Sequence, residues 1–232
     1  ISLLASKPTK LELSIENCTI RRQVFENDHA TLVILGTPIL GEKIASEALW
    51  AETKSRGLQD DFLRSVNGEF LFIHLSKTTR TLQISTDQFT SIPLFYLSDE
   101  TGFFGSIYYN GVWEYLNSNN RTKINEHAVF EFLWLQRLLG TKTYDSYSSF
   151  LLAATKLTYQ QGKITTSQYW TPSFQKTSAS LNESAEQLAA SLRQSTARKT
   201  SDNPDQNGLF LSGGIDSRTV LGSFENPPIV RC

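Results

Sequence analysis

A chain of 232 residues with 39% hydrophobic, 11% aromatic and 19% charged content has the make-up of a folded globular protein and not of a disordered one. Its length suits one large domain, or one domain with part of another. Twenty-two basic against 23 acidic residues leave a net charge of -1, without the basic stripe that nucleic acid or an anionic membrane would require. No run of about 18 apolar residues is present, so no membrane span is expected.

The two cysteines, Cys18 and Cys232, form neither a CxxC nor a Cys/His pattern. That argues against zinc and excludes a disulfide framework, and both read as free thiols in a reducing compartment. The start, ISLLASKPTK, has too short an apolar run and no basic residues ahead of it for a signal peptide. The expected location is therefore cytoplasmic, and the glycosylation-type triplets at Asn17, Asn120 and Asn182 count as chance matches. The chain holds no methionine, begins at Ile1 and stops inside the apolar stretch that follows Pro227. A processed chain or a fragment is expected, with no synthetase turnover from this piece alone.

In chain order, residues 30–40 read as a buried strand followed by a Gly/Pro turn. Ser46 to Val66 reads as two helical pieces separated near Gly57, the second ending before Asn67-Gly68. Glu69–Leu75 and Thr81–Thr86 alternate as two strands of a hairpin. Ile92–Leu97 and Phe103–Ser106 are expected to continue the same meander. Asn125 is a candidate N-cap for a helix running to Leu139 and ended by Gly140. A hairpin about Gln161-Gly162 leads into Tyr169-Trp170, after which residues 173–181 are small and polar enough for a linker. Asn182 then caps a helix whose apolar face holds Ala185, Leu188, Ala189 and Leu192. Gly208–Leu211 is a short strand, Ser212–Asp216 a loop, and Ser217–Phe224 a helix. The division that results is a β-rich domain over residues 1–172 and, over 182–232, the opening βα element of an α/β domain.

The loop Leu211-Ser212-Gly213-Gly214-Ile215-Asp216-Ser217 carries the chemistry. Glycines let backbone N–H groups approach an anion, the following helix start favours negative charge, and Ser212 and Ser217 can donate hydroxyl hydrogen bonds to phosphate oxygens. Asp216 makes sense in such a loop if it holds Mg²⁺. No lysine follows the glycines, so the Walker pattern is absent. Alternatives are a merely flexible turn, or Ser212 as a hydrolase nucleophile, although no GxSxG elbow surrounds it.

Phe210–Ser217 resembles the ATP-pyrophosphatase signature of the asparagine synthetase family. Asp61–Phe70 resembles that family's "L…L.GMFAFA" strand and Thr86–Tyr96 its "RDRFGIKPLYY" segment. Phe103–Ser106 stands where the family has "LLFASE", and Gln168-Tyr169-Trp170 where it has "RYW". The resemblance implies an α+β N-terminal domain of αββα, Ntn-hydrolase-like form, followed by the first βα unit of an α/β PP-loop domain. It implies ATP and Mg²⁺ as cofactors, with Leu211, Ser212, Gly213, Gly214, Asp216 and Ser217 around the phosphates and Asp216 on the metal. The implied reaction adenylates a carboxylate, aspartate or a relative, for attack by ammonia (drawn from glutamine) or by an amine; a homodimer is possible.

Several positions depart from the family's pattern. Its glutaminase half uses an N-terminal cysteine, whereas residue 1 is Ile and Cys18 lies within the chain. Its Asn-Gly-Glu glutamine-binding turn falls at Leu35-Gly36-Thr37, without either polar side chain, and the stretch supplying an arginine is missing between Ile39 and Ser46. The expectation is a glutaminase-like fold without glutaminase activity and no catalytic residue to name. Related ligases without the cysteine, the β-lactam synthetases and lasso-peptide cyclases, are an alternative that Arg218 loosely supports, and a non-catalytic scaffold is another. His29, His74 and His127 have no partner motif, Asp87 reads as binding a turn's N–H groups, and Trp113, Tyr115 and Leu116 read as core.

Overall fold

The computed structural model describes residues 2–6, 10–14, 20–41, 43–44, 46–99, 102–176, 178–200, 207–225 and 229–231. The chain divides into two compact units, Ile1–Leu40 with Ala45–Thr171, and Gly41–Ile44 with Pro172–Cys232.

The first unit begins with strands β1 (Ser2–Ser6), β2 (Lys10–Ser14), β3 (Arg22–Glu26) and β4 (Ala30–Leu40). The short β5 (Lys43–Ile44) belongs to the second unit. Helices α1 (Ser46–Arg56) and α2 (Asp60–Ser65) follow, then β6 (Val66–Ser76) and β7 (Thr81–Thr86). After β8 (Phe95–Asp99) and β9 (Gly102–Ser106) come α3 (Tyr109–Ser118) and α4 (Glu126–Leu135). The unit ends with β10 (Ser149–Phe150), β11 (Thr155–Gln160) and β12 (Lys163–Gln168). One sheet runs β12-β11-β7-β6-β4-β3 and the other β10-β8-β9-β1-β2, each built from antiparallel pairs.

Both faces of the first sheet are covered, so β4 and β6 read as continuous apolar runs instead of alternating ones. Val33, Leu35, Leu71, Ile73, Ile84 and Leu157 point to one side and pack with Ile92, Leu94, Phe103 and Ile107 of the second sheet and its flanks. Leu32, Ile34, Phe70 and Phe72 point to the other side, under Leu49 of α1 and Leu58 and Leu63 around α2. The outer face of the second sheet meets α3 through Leu97, Phe104, Val112 and Leu116. The order helix, sheet, sheet, helix is an α+β sandwich.

Five readings of the sequence need correction. Strand β4 does not stop for a turn at Gly36-Thr37-Pro38. It pairs through to Leu40, opposite Val66. Gly36 (φ 94°) and Gly68 (φ 88°) let the two backbones close in: a Cβ on Gly36 would lie 2.2 Å from the Glu69 carbonyl oxygen, and one on Gly68 2.4 Å from that of Thr37. The expected continuation of the meander at Ile92–Leu97 fails, because β8 and β9 belong to the second sheet. Helix α4 ends at Leu135, not Leu139, where Gln136 turns left-handed (φ 55°) and its N–H bonds Phe132 O at 2.8 Å. The helix α5 (Leu181–Lys199) is capped by Ser180 and not Asn182, in a reciprocal arrangement with Glu183. Of its expected apolar face, Leu188 is 72% exposed. The last helix, α6 (Ile215–Leu221), begins two residues earlier than the spacing predicts, with Gly214 as N-cap.

In the second unit, α6 lies between β13 (Gly208–Phe210) and β14 (Ile229–Arg231), which pair in parallel with Leu209 opposite Val230. That is a βαβ crossover, the connection parallel strands need. Thr196 of α5 bonds Ser223 hydroxyl to hydroxyl at 2.7 Å, just beyond α6.

The segment crossing from β7 to the second sheet holds a strained residue. Thr90 has φ 55°, a region unfavourable for a β-branched side chain, and its buried hydroxyl has no hydrogen-bond partner. Thr90→Gly is therefore expected to stabilise the protein by about 1 kcal/mol despite the added freedom of the unfolded chain. An upward shift of the urea midpoint at constant m-value checks this.

Candidate functional site

The six residues expected to cradle phosphates stand together at the junction of β13 and α6, Leu211–Gly214 in the connection and Asp216 and Ser217 in the first turn of the helix. Ser212, Gly213, Gly214 and Asp216 are exposed, and Leu211 and Ser217 are half-buried. The Ser212 and Ser217 hydroxyls lie 2.9 Å apart, Gly214 N–H donates to Ser212 Oγ at 3.2 Å, and Ser212 N–H donates to Ser217 Oγ at 3.2 Å. The Ser217 hydroxyl also reaches Ser212 O at 3.1 Å, and Arg218 Nε–H donates to Gly214 O at 3.3 Å. The two serine hydroxyls thus hold the Ser212 and Gly214 N–H groups within the loop, bonds that a bound anion would have to exchange.

Glycine at position 213 has no cause among the described residues. It is not among those with positive φ, and a Cβ built on it would meet none of them within 4 Å. At Gly36 and Gly68 the neighbouring strand explains the glycine, but at Gly213 the space lies open above the backbone. A group that must approach that backbone closely fits this arrangement, and a phosphate is such a group. Asp216 is the carboxylate of this loop, and among the described residues no cluster of three or more His, Cys, Asp or Glu exists. Mg²⁺ fits only if phosphate oxygens and water complete its shell, which is its habit.

In the first unit, the Leu35-Gly36-Thr37 stretch is strand and not turn. Leu35 is fully buried between the sheets, and Gly36 is pressed against Glu69. Cys18, Cys232 and the triplet partners Asn17 and Thr19 lie outside the described residues. Asp87 binds backbone N–H groups as its sequence setting predicts, accepting from Phe89 at 2.8 Å, Ser91 at 3.0 Å and Phe70 at 3.2 Å. Of the three side chains read as core, Leu116 is buried and Tyr115 stacks on Phe104 at 4.1 Å, but Trp113 is 37% exposed. His29 and His127 are exposed.

One feature escaped the sequence reading. Asp145 is buried and accepts from Tyr147 N–H at 2.7 Å, Ser148 N–H at 2.6 Å, the Tyr109 hydroxyl at 3.1 Å and the Ser148 hydroxyl. Burial pushes its carboxyl up, but these bonds outweigh burial and hold it below the usual carboxylate range. The only sequence signal was a Thr/Asp/Ser cluster within a turn. His74, which the sequence leaves without a partner motif, is 3% exposed on β6, and its ring nitrogens meet no partner with hydrogen-bond geometry among the described residues. Burial lowers its pKa, and the Thr53 backbone offsets part of that.

The folded state therefore protonates His74 less readily than the unfolded chain, which binds a proton below the ordinary value near 6.5. Stability is expected to be full above that value and to fall as pH drops below it. His74→Gln is expected to flatten this acid slope in urea titrations, and an unchanged slope would assign it to other groups.

No described helix is long and apolar enough to cross a membrane. No curated protein matches the chain. Among solved structures, one described as the allosteric regulatory enzyme of purine biosynthesis shares 9% identity at a TM-score of 0.34, over 90% of this chain and 47% of that one. Glutamine phosphoribosylpyrophosphate amidotransferase from B. subtilis shares 8% at 0.34, over 86% and 45%. The chain thus spans under half the length of either, and overlaps this loose carry no argument about fold or chemistry. A family model described as a glutamine amidotransferase domain matches residues 44–170, which is more than half of the chain and runs from the end of β5 to just beyond β12. The chain belongs to the glutamine amidotransferase domain family.

Proposed function

We propose that the protein is an ATP-dependent amide-forming ligase of the asparagine synthetase kind, in which the amidotransferase-like unit no longer hydrolyses glutamine. The observation carrying the nucleotide half of this reading is Gly213, a glycine that nothing in the described structure requires and that a phosphate against the backbone would. The resemblance of Phe210–Ser217 to the ATP-pyrophosphatase signature supports the same reading. ATP, when bound, would activate a carboxylate by adenylation so that a nitrogen nucleophile can displace AMP. The residues of this chain would position it: N–H groups along Ser212–Gly214 and the hydroxyls of Ser212 and Ser217 would bind phosphate oxygens, and Asp216 would orient Mg²⁺ on them.

The loss of glutaminase function rests on Leu35 and Thr37. A glutamine-recognition segment needs polar side chains facing the substrate, and here the position of the family's asparagine is a leucine sealed in the core, while that of its glutamate is the half-buried Thr37. Free ammonia, or an amine of a second substrate, is then the nitrogen donor.

The test incubates the whole protein with ATP, Mg²⁺ and aspartate, supplying either glutamine or ammonium, and measures AMP and amide. Product from ammonium but not from glutamine is the expected result. Equal rates from both would refute the inactive amidotransferase half, and absence of ATP binding would favour a non-catalytic scaffold.

A further inference from the structure

Arg218 is exposed, yet its side chain turns back over the first turn of α6. Its Nε–H donates to the carbonyl oxygen of Gly214, the N-cap residue, at 3.3 Å. Helical side chains lean toward the N-terminal turn, which permits this direction. A long bond at an exposed site offsets little of the rotamer freedom that a held arginine gives up. The guanidinium is planar, so holding Nε on the loop also fixes where both Nη groups lie. Among the described residues the guanidinium makes no bond besides that to Gly214, and no carboxylate pairs with it.

Charge indicates the ligand that these donors suit. Between Gly208 and Glu225 the acidic residues are Asp216 and Glu225, and Arg218 is the one basic residue. Loops of the Walker pattern hold phosphate with a lysine, whereas no lysine follows the glycines in this loop. Without Arg218 the segment would offer a polyanion only negative side chains. Its other donors are partly committed, since the Ser212 and Gly214 N–H groups are held by the serine hydroxyls. The guanidinium is charged, anchored on the loop backbone and uncommitted at Nη, and its fork matches two phosphate oxygens at once.

We propose that Arg218 is a phosphate-binding residue that takes the place of the missing lysine and grips the pyrophosphate tail of the nucleotide. This role rests on the nucleotide reading of the Leu211–Ser217 loop. It adds the charge partner of the polyphosphate, and it makes the loop select polyphosphates over a nucleoside monophosphate.

Calorimetric titration of the whole protein with ATP–Mg²⁺, AMP and inorganic pyrophosphate–Mg²⁺, beside thermal melting, tests both parts. The parent is expected to bind ATP and pyrophosphate, and to bind AMP at least about tenfold more weakly. Arg218→Ala should raise the dissociation constants for ATP and pyrophosphate about thirtyfold, as loss of a charge-assisted hydrogen bond does. The AMP constant should shift less than about threefold, and the melting curve should stay in place because the side chain is exposed. Arg218→Lys should recover part of the loss, since it restores the charge without the fork. Added salt should weaken pyrophosphate binding less in Arg218→Ala than in the parent. Equal affinities for the parent and Arg218→Ala overturn the role of Arg218 and leave the nucleotide reading standing. A parent that binds neither ATP nor pyrophosphate overturns both. A loss for AMP as large as that for ATP overturns the assignment to the tail, and a melting temperature that falls with the affinity makes Arg218 a structural residue.

Discussion

Asp87→Ala is expected to destabilise the protein by about 4 kcal/mol, the largest single loss outside the apolar core. The carboxylate is fully buried and is the shared acceptor for the N–H groups of Phe70, Phe89 and Ser91 and for the Ser91 hydroxyl at 3.2 Å. Its backbone joins the same junction: Asp87 N–H donates to Phe70 O at 3.1 Å, and Asp87 O accepts from Ala154 N–H at 2.8 Å. The residue therefore ties β6, the crossing to the second sheet and the entry to β11 together. Truncation leaves at least the Phe70 amide buried and unpaired, and each such group costs roughly 1–3 kcal/mol. Asp87→Asn keeps the volume but turns an NH2 group toward donors, so it should recover no more than about half of the loss. Urea unfolding with both variants decides the matter. A loss under about 1 kcal/mol for Asp87→Ala would mean that the crossing holds its shape without the carboxylate.

The same junction explains which parts of the fold could be read from sequence. The β6–β7 hairpin and the β11–β12 hairpin were legible because their pairing is local. Gln161 and Gly162, both with positive φ, make a two-residue turn that alternation on either side announces. The transfer of the chain to a second sheet after Thr86 was not legible, because Ile92 and Leu94 look like any alternating strand. Their burial depends on Phe103, Leu151 and Leu157, brought in from elsewhere. Likewise Pro38 reads as a strand-breaker, and only the opposing Gly68 shows how the ladder accommodates it. The family's quoted pattern has glycine where Thr90 stands, so the strain there was legible in principle, but only once φ was known. The Leu211–Ser217 loop was the opposite case: its six candidate residues fall within seven consecutive positions, so no long-range contact was needed to assemble them. Asp145 and His74 depend on packing around them, which residue type alone does not reveal.

Gly213→Val is expected to raise the dissociation constant for ATP–Mg²⁺ in the whole protein at least about a hundredfold, roughly 2.8 kcal/mol, with no change in melting temperature. Among the described residues nothing lies within 4 Å of a Cβ at this position, and no positive φ forces glycine, so the fold is expected to accept a side chain there. A β-branched residue would fill the space over the Ser212–Gly214 backbone and keep phosphate oxygens from its N–H groups. Gly36→Ala serves as the contrasting control, since its Cβ would strike the Glu69 carbonyl oxygen at 2.2 Å and lower stability through a mechanism unrelated to nucleotide. Asp216→Ala separates the metal from the phosphate: it should weaken binding of ATP with Mg²⁺ far more than binding of ATP alone, because it removes an oxygen ligand and leaves the backbone donors. Calorimetric titration of the three variants gives the answer. If Gly213→Val binds nucleotide as the parent does, the glycine is incidental and the loop is a connection between β13 and α6; if affinity collapses while the melting curve stays, the glycine serves a ligand and not the fold.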